Sequence, residues 1–129
     1  MNYLLDTSTF LWWIDDFGRL PSNILNTLVD PENRLFLSVA SVWEMQIKSQ
    51  IGKLKLPNPL PDIIARQIND NNLLILTIEL AHVFALARLP DIHKDPFDRI
   101  IIAQAIIEHY TLISPDRHFA SYPVRHLWT

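Results

Sequence analysis

The sequence predicts an α/β fold, a three-layer sandwich in which a central, mainly parallel sheet of about five strands is flanked by helices. Three observations predict it. Short apolar runs (Tyr3-Leu4-Leu5, Leu35-Phe36-Leu37, Leu74-Ile75-Leu76, Leu112-Ile113) alternate with longer segments of helical period. The runs are apolar at consecutive positions, as in parallel strands buried on both faces. Finally, an acid follows the first and the fourth run, Asp6 and Asp116, and the carboxyl ends of strands are where open α/β sheets bind ligands.

Residues 2–5 read as a buried strand, and Thr9 to Ile14 begins a helix rich in large apolar groups. Pro21 to Leu28 is amphipathic, with Ile24, Leu25 and Leu28 on one face. Asp30-Pro31-Glu32-Asn33 makes a turn, and Leu35–Leu37 is the second strand. A helix then runs from about Ser41 to Ile51, ended by Gly52. Lys53 to Pro61 is a proline-rich loop, Asp62 to Ile68 a helix, and Leu74–Thr77 the third strand after the break at Asp70-Asn71-Asn72. Glu79 to Leu89 is helical until Pro90. Asp95-Pro96 opens the longest helix, which runs to about His109. Leu112-Ile113 is the fourth strand and Val124 to Trp128 the fifth. The strand order does not follow from any of this.

The 129 residues, 49% of them apolar, suit one domain over 1–129 with a substantial core. No apolar run approaches the roughly 20 residues that span a bilayer, and no cleavable leader is evident at the N-terminus. The expectation is a cytoplasmic protein without a membrane partner. With no cysteine, disulfides and thiolate metal sites are excluded. With only Gly18 and Gly52, neither a phosphate-binding P-loop nor a dinucleotide-binding glycine loop can be built.

Four acids carry the functional argument: Asp6, Glu44, Asp98 and Asp116, each at a strand-to-helix junction or near a helix start. Carboxylates brought together repel unless a cation lies between them. Oxygen ligands without cysteine favour Mg²⁺ or Mn²⁺, and such an ion activates water and neutralises phosphate charge. The pattern points to metal-assisted phosphodiester hydrolysis. A net charge of −3 is unusual for a nucleic-acid binder; bound cations would offset it locally, leaving Lys48, Lys53, Lys55, Lys94, Arg99 and Arg117 near the rim.

Each acid also has a structural alternative. Asp6 suits a helix N-cap. Ser41-Val42-Trp43-Glu44 fits a capping box, with Glu44 also four residues from Lys48. Asp95 suits the N-cap before Pro96, which leaves Asp98 as surplus and the better catalytic candidate. Asp116 suits the cap of a one-turn helix through Phe119. Lys48 and Arg99 are candidate phosphate clamps, their alternatives being a pair with Glu44 and an internal ion pair. His93 lies close to Asp95 but has no ligand-spaced histidine in the sequence, so it is assigned no metal. Of the adjacent Trp12 and Trp13, about 100° apart on a helix, one is expected in the core and the other, with Phe10 and Ile14, at a partner groove.

The segments Leu5-Asp6-Thr7-Ser8-Thr9-Phe10-Leu11-Trp12, Ser41-Val42-Trp43-Glu44-Met45-Gln46-Ile47-Lys48, His93-Lys94-Asp95-Pro96-Phe97-Asp98-Arg99 and Ser114-Pro115-Asp116 together resemble a PIN domain. More narrowly, they resemble the bacterial VapC-type toxins. The resemblance covers nearly the whole chain in order and spacing. It departs from the family in having Ser8 where histidine is frequent and Ser114-Pro115 where a threonine is usual. It implies that Asp6, Glu44, Asp98 and Asp116 bind Mg²⁺ or Mn²⁺ for endonucleolytic cleavage of RNA, and that Thr7 orients the Asp6 carboxylate or a water. It also implies a homodimer restrained by a cognate antitoxin. The competing expectation is a catalytically silent PIN-like module that binds RNA or protein, its acids serving only the fold.

Overall fold

The computed structural model of the chain describes residues 1–129. Strands β1 (Asn2–Leu5), β2 (Arg34–Ser38), β3 (Leu74–Leu76), β4 (Thr111–Ile113) and β5 (His126–Leu127) form one sheet in the order β3-β2-β1-β4-β5. Every neighbouring pair is parallel. Six helices connect them: α1 (Thr7–Asp15), α2 (Ser22–Val29), α3 (Val39–Gln50), α4 (Leu60–Asn71), α5 (Leu80–Ala85) and α6 (Pro96–Glu108).

The register explains the three layers. Leu5 aligns with Leu37 and Ile113, and these side chains join Phe10, Ile24, Leu28 and Ile63 of α1, α2 and α4 in one cluster. Leu4 aligns with Phe36 and Leu112 on the opposite face, where they meet Ile101, Ile102 and Ala105 of α6. Side chains alternate across a strand, so consecutive leucines in β1 serve two different cores. Each fully buried aliphatic side chain contributes about 1.5–3 kcal/mol. Helix α3 belongs to both clusters, through Ala40 on one side and Met45 on the other. No helix is long and apolar enough to cross a membrane.

Helix ends largely follow the sequence cues. Asp6 caps α1 by accepting from Thr9 N at 2.8 Å, and Asp95 caps α6 by accepting from Phe97 N at 2.8 Å, with Pro96 in the first position. Gly52, just past α3, takes φ +76°, a left-handed conformation that glycine adopts without steric cost. The capping box expected at Ser41 and Glu44 does not form. Helix α3 starts earlier, at Val39, capped by Ser38 Oγ on Ala40 N at 3.0 Å, so Ser41 and Glu44 both lie inside the helix. Trp12 and Trp13 are both half-buried against the first cluster. Trp12 packs on Trp128 at 6.0 Å under Arg19, while Phe10 is fully buried and so offers nothing to a partner groove.

The order of the strands positions the site. From β1 the chain moves outward to β2 and β3, then crosses back to β4 on the other side of β1. The connections therefore part between β1 and β4, which opens a crevice beyond their carboxyl ends.

Candidate functional site

Asp6 leaves β1 and Ser114 leaves β4 at this crevice. Ser114 Oγ donates to Asp6 Oδ2 at 2.6 Å and accepts from Asp116 N at 3.0 Å. Thr9 N supplies Asp6 Oδ1, and Asp6 N donates to Ile113 O at 3.1 Å. The cap and site readings of Asp6 are therefore compatible: one carboxylate starts the helix and forms part of the crevice wall. Each of its oxygens keeps a second lone pair for another ligand.

Glu44 enters from α3. Thr7 Oγ1 donates to Glu44 Oε1 at 2.7 Å, and Lys48 Nζ sits 2.7 Å from Oε2. Of the two roles that the resemblance implied for Thr7, orienting the Asp6 carboxylate or a water, the first is not what its hydroxyl does: it donates to Glu44. Asp98 comes from the first turn of α6 and Asp116 from the start of a 3₁₀ turn, Arg117–Ser121. All four predicted acids, with Asp95, line one open pocket of about 320 Å³ together with Thr7 and Lys48. A larger depression of about 500 Å³ lies beside Arg34 and Leu74, where β2 and β3 begin, at the opposite end of the sheet.

Electrostatics in this pocket are unbalanced. Five carboxylates face one ammonium. Burial, then repulsion from Asp95, Glu44, Asp6 and Asp116, pushes the Asp98 carboxyl up to about 7. The attraction of Lys48 opposes this only weakly. Burial also raises Asp6, opposed by its hydrogen bonds from Ser114 and Thr9. Lys48 is raised chiefly by its hydrogen bond to Glu44. A set of hard oxygen ligands with unrelieved mutual repulsion is chemically suited to a divalent cation of the Mg²⁺ or Mn²⁺ kind.

Two expectations require correction. Arg99 does not line the pocket: its guanidinium donates to the carbonyls of Pro90 (2.9 Å), His93 (3.3 Å) and Leu86 (3.2 Å). Nor does it make the internal ion pair expected as the alternative. Lys53, Lys55, Lys94 and Arg117 do not line the pocket either, so Lys48 is its sole cation. His93, which has no partner by sequence spacing, lies with its Nε2 3.1 Å from Asp116 Oδ2, and His118 Nδ1 is 3.0 Å from Oδ1 of the same carboxylate. Sequence reasoning also passed over Ser114. Its one signal was a hydroxyl placed directly after an apolar strand and two residues before an acid.

An acid-lined crevice at the switch point of a parallel sheet defines an α/β protein built to gather charge at one end of its strands. The family model of the PIN domain matches residues 3–124, and the chain belongs to the PIN domain family. No curated protein sequence matches it. Among solved structures, VapBC2 from Rickettsia felis, bound to a DNA fragment from their promoter, is similar with a TM-score of 0.76 at 20% identity, covering 100% of both chains. VapBC-1 from nontypeable Haemophilus influenzae follows with a TM-score of 0.67 at 17% identity, over 98% of this chain and 97% of that one. FitAcB from Neisseria gonorrhoeae is similar with a TM-score of 0.54 at 15% identity, over 97% and 96%. At such identities the likeness is one of fold.

Proposed function

We propose that this chain is a Mg²⁺- or Mn²⁺-dependent endoribonuclease, the toxin of a toxin–antitoxin pair, acting in the cytoplasm as a homodimer. The observation that carries the reading is the convergence of Asp6, Glu44, Asp98 and Asp116, from four separate elements, on one pocket. Membership of the PIN family and the fold shared with VapBC complexes support the partner: a cognate antitoxin that covers the pocket or its approach.

Asp6, Glu44, Asp98 and Asp116 would hold the cation, which supplies charge neutralisation at the scissile phosphate and makes water more acidic. The protein's own groups set the stage. Ser114 fixes the Asp6 carboxylate and the backbone of Asp116, so the ends of β1 and β4 keep a constant separation. Thr7 and Lys48 hold one oxygen each of Glu44. Lys48, about half exposed, can also meet a phosphate oxygen of an incoming strand. Preorganised groups of this kind act without reorganisation at the moment of reaction. Hydrolysis by water, and not by the ribose 2′-hydroxyl, leaves a 5′ phosphate and a 3′ hydroxyl.

The test is cleavage of a panel of single-stranded and structured RNAs by antitoxin-free protein in Mg²⁺, Mn²⁺ or EDTA, alongside Asp98→Asn. Metal-dependent cutting that the variant lacks is the expected result. A folded protein that cuts nothing under any metal overturns it.

A further inference from the structure

We infer that His93, Asp116 and His118 form a binding site for a transition-metal cation of the zinc class, distinct from the all-oxygen pocket but sharing Asp116 with it. One ligand atom from each of the three residues lies within 4.8 Å of the others. The His93 Nε2 to Asp116 Oδ2 and His118 Nδ1 to Asp116 Oδ1 separations are 3.1 and 3.0 Å. Bonds of about 2.0–2.1 Å to a tetrahedral ion put neighbouring ligand atoms roughly 3.4 Å apart. The carboxylate edges are therefore near coordination spacing, and the two imidazoles need only a modest adjustment to meet on one ion.

His93 is held in place. The Tyr122 hydroxyl accepts from its backbone N at 2.7 Å, its ring stacks on Tyr122 at 5.9 Å, and Phe119 meets it edge-on at 5.2 Å. Its Nε2 is buried and close to Asp116, yet makes no aligned hydrogen bond. A buried nitrogen that faces a carboxylate oxygen and has no hydrogen bond of its own is free to serve as a ligand. His118 supplies the adjustable vertex. Its side chain is 72% exposed, while its backbone N donates to Asp116 Oδ1 at 2.9 Å.

Ligand chemistry separates the two sites. Imidazole nitrogen suits Zn²⁺, Ni²⁺ and Cu²⁺, whereas carboxylate-only sets suit Mg²⁺ and Mn²⁺. An ion held by the histidines engages Asp116 and withdraws it from the acid pocket. It follows, on the nuclease reading above, that zinc opposes magnesium-supported cleavage.

The experiment titrates ZnCl₂ into the full chain by calorimetry in magnesium-free buffer, with Co²⁺ absorption as a spectroscopic readout of nitrogen ligation. The acid pocket also takes zinc in this buffer, so the equivalent assigned to the histidines is the saturable one that carries the Co²⁺ signature and is retained by Asp98→Asn and Glu44→Gln, which impair the pocket. His118→Ala, a change at an exposed side chain, should lose at least the roughly 10–100-fold that removing even an outer-sphere partner costs. His93→Asn should lose it too. The proposal is overturned by the absence of stoichiometric binding, by unchanged affinity in His118→Ala, or by loss of binding in Glu44→Gln. Binding is read without RNA, so a failed nuclease assay leaves it standing. Where cleavage is present, zinc inhibition should weaken in His118→Ala.

Discussion

Ser114 Oγ and Asp6 Oδ2 lie 2.6 Å apart across 108 residues of chain. The same serine oxygen accepts from Asp116 N at 3.0 Å, so one hydroxyl joins two acids of the pocket.

Replacing Ser114 by alanine leaves the buried Asp6 carboxylate short of a donor. Hydrogen bonds to charged groups contribute about 1.5–3 kcal/mol, and a loss of that size is expected in urea unfolding. Cleavage should fall as well, because Asp116 loses its backbone tether. Ser114→Thr, which keeps the hydroxyl, should restore much of both.

The cation-free protein should lose stability as pH rises from about 4 to about 7. Folded Asp98 keeps its proton up to about 7, whereas the unfolded chain releases it near the ordinary 3.8. The folded state therefore binds more protons across that window, and its advantage is lost as pH climbs through it. Asp98→Asn removes this contribution. Thermal melts in EDTA at pH 8 should place the variant at or above the wild type, and adding Mg²⁺ should raise the wild type more, by mass action.

Arg99→Ala should cost about 2 kcal/mol through the carbonyls of Leu86, Pro90 and His93, which lose a charged donor. Arg99→Lys should not rescue it, because one ammonium cannot reproduce the planar fork. Were Arg99 a phosphate clamp instead, KM for RNA would rise with urea stability unchanged.

Lys48→Met should destabilise the cation-free protein by about 1.5–3 kcal/mol, since Glu44 is buried and the change leaves its carboxylate with Thr7 as its one side-chain donor. It should tighten Mg²⁺ binding by removing the sole competing cation, and weaken RNA binding. A plot of log K against log salt should become shallower by about 0.7 for a single strand.

The fold was legible where adjacent positions reinforce each other. Tyr3-Leu4-Leu5 ends at an acid that caps the next helix, and Asp95-Pro96 opens α6 with cap and first residue together. Asp6, Asp98 and Asp116 were legible for the same reason: their places follow from strand ends and the first turn of a helix. Glu44 was found together with its partner Lys48, but its tie to Ser41 was misassigned, because Ser41-x-x-Glu44 imitates a local box while Ser38 starts the helix and Thr7, 37 residues away, holds the other carboxylate oxygen. Arg99 and the His93–His118 pairing depend on how the loop before α6 folds against the turn after β4. No local pattern encodes such a meeting. The strand order was equally hidden, since crossovers are settled by packing between elements distant in the chain.

The place of β1 in the middle of the sheet has a consequence for synthesis. It emerges from the ribosome among the first residues of this sequence, yet one of its two neighbours, β4, follows more than a hundred residues later. A nascent chain that stops short of residue 111 has an unpaired edge on β1 and lacks both the Ser114 tether and Asp116. The acid pocket therefore cannot assemble around β1 until residues 111–116 are free to reach it, so its two walls come together only after a long stretch of intervening chain has been made.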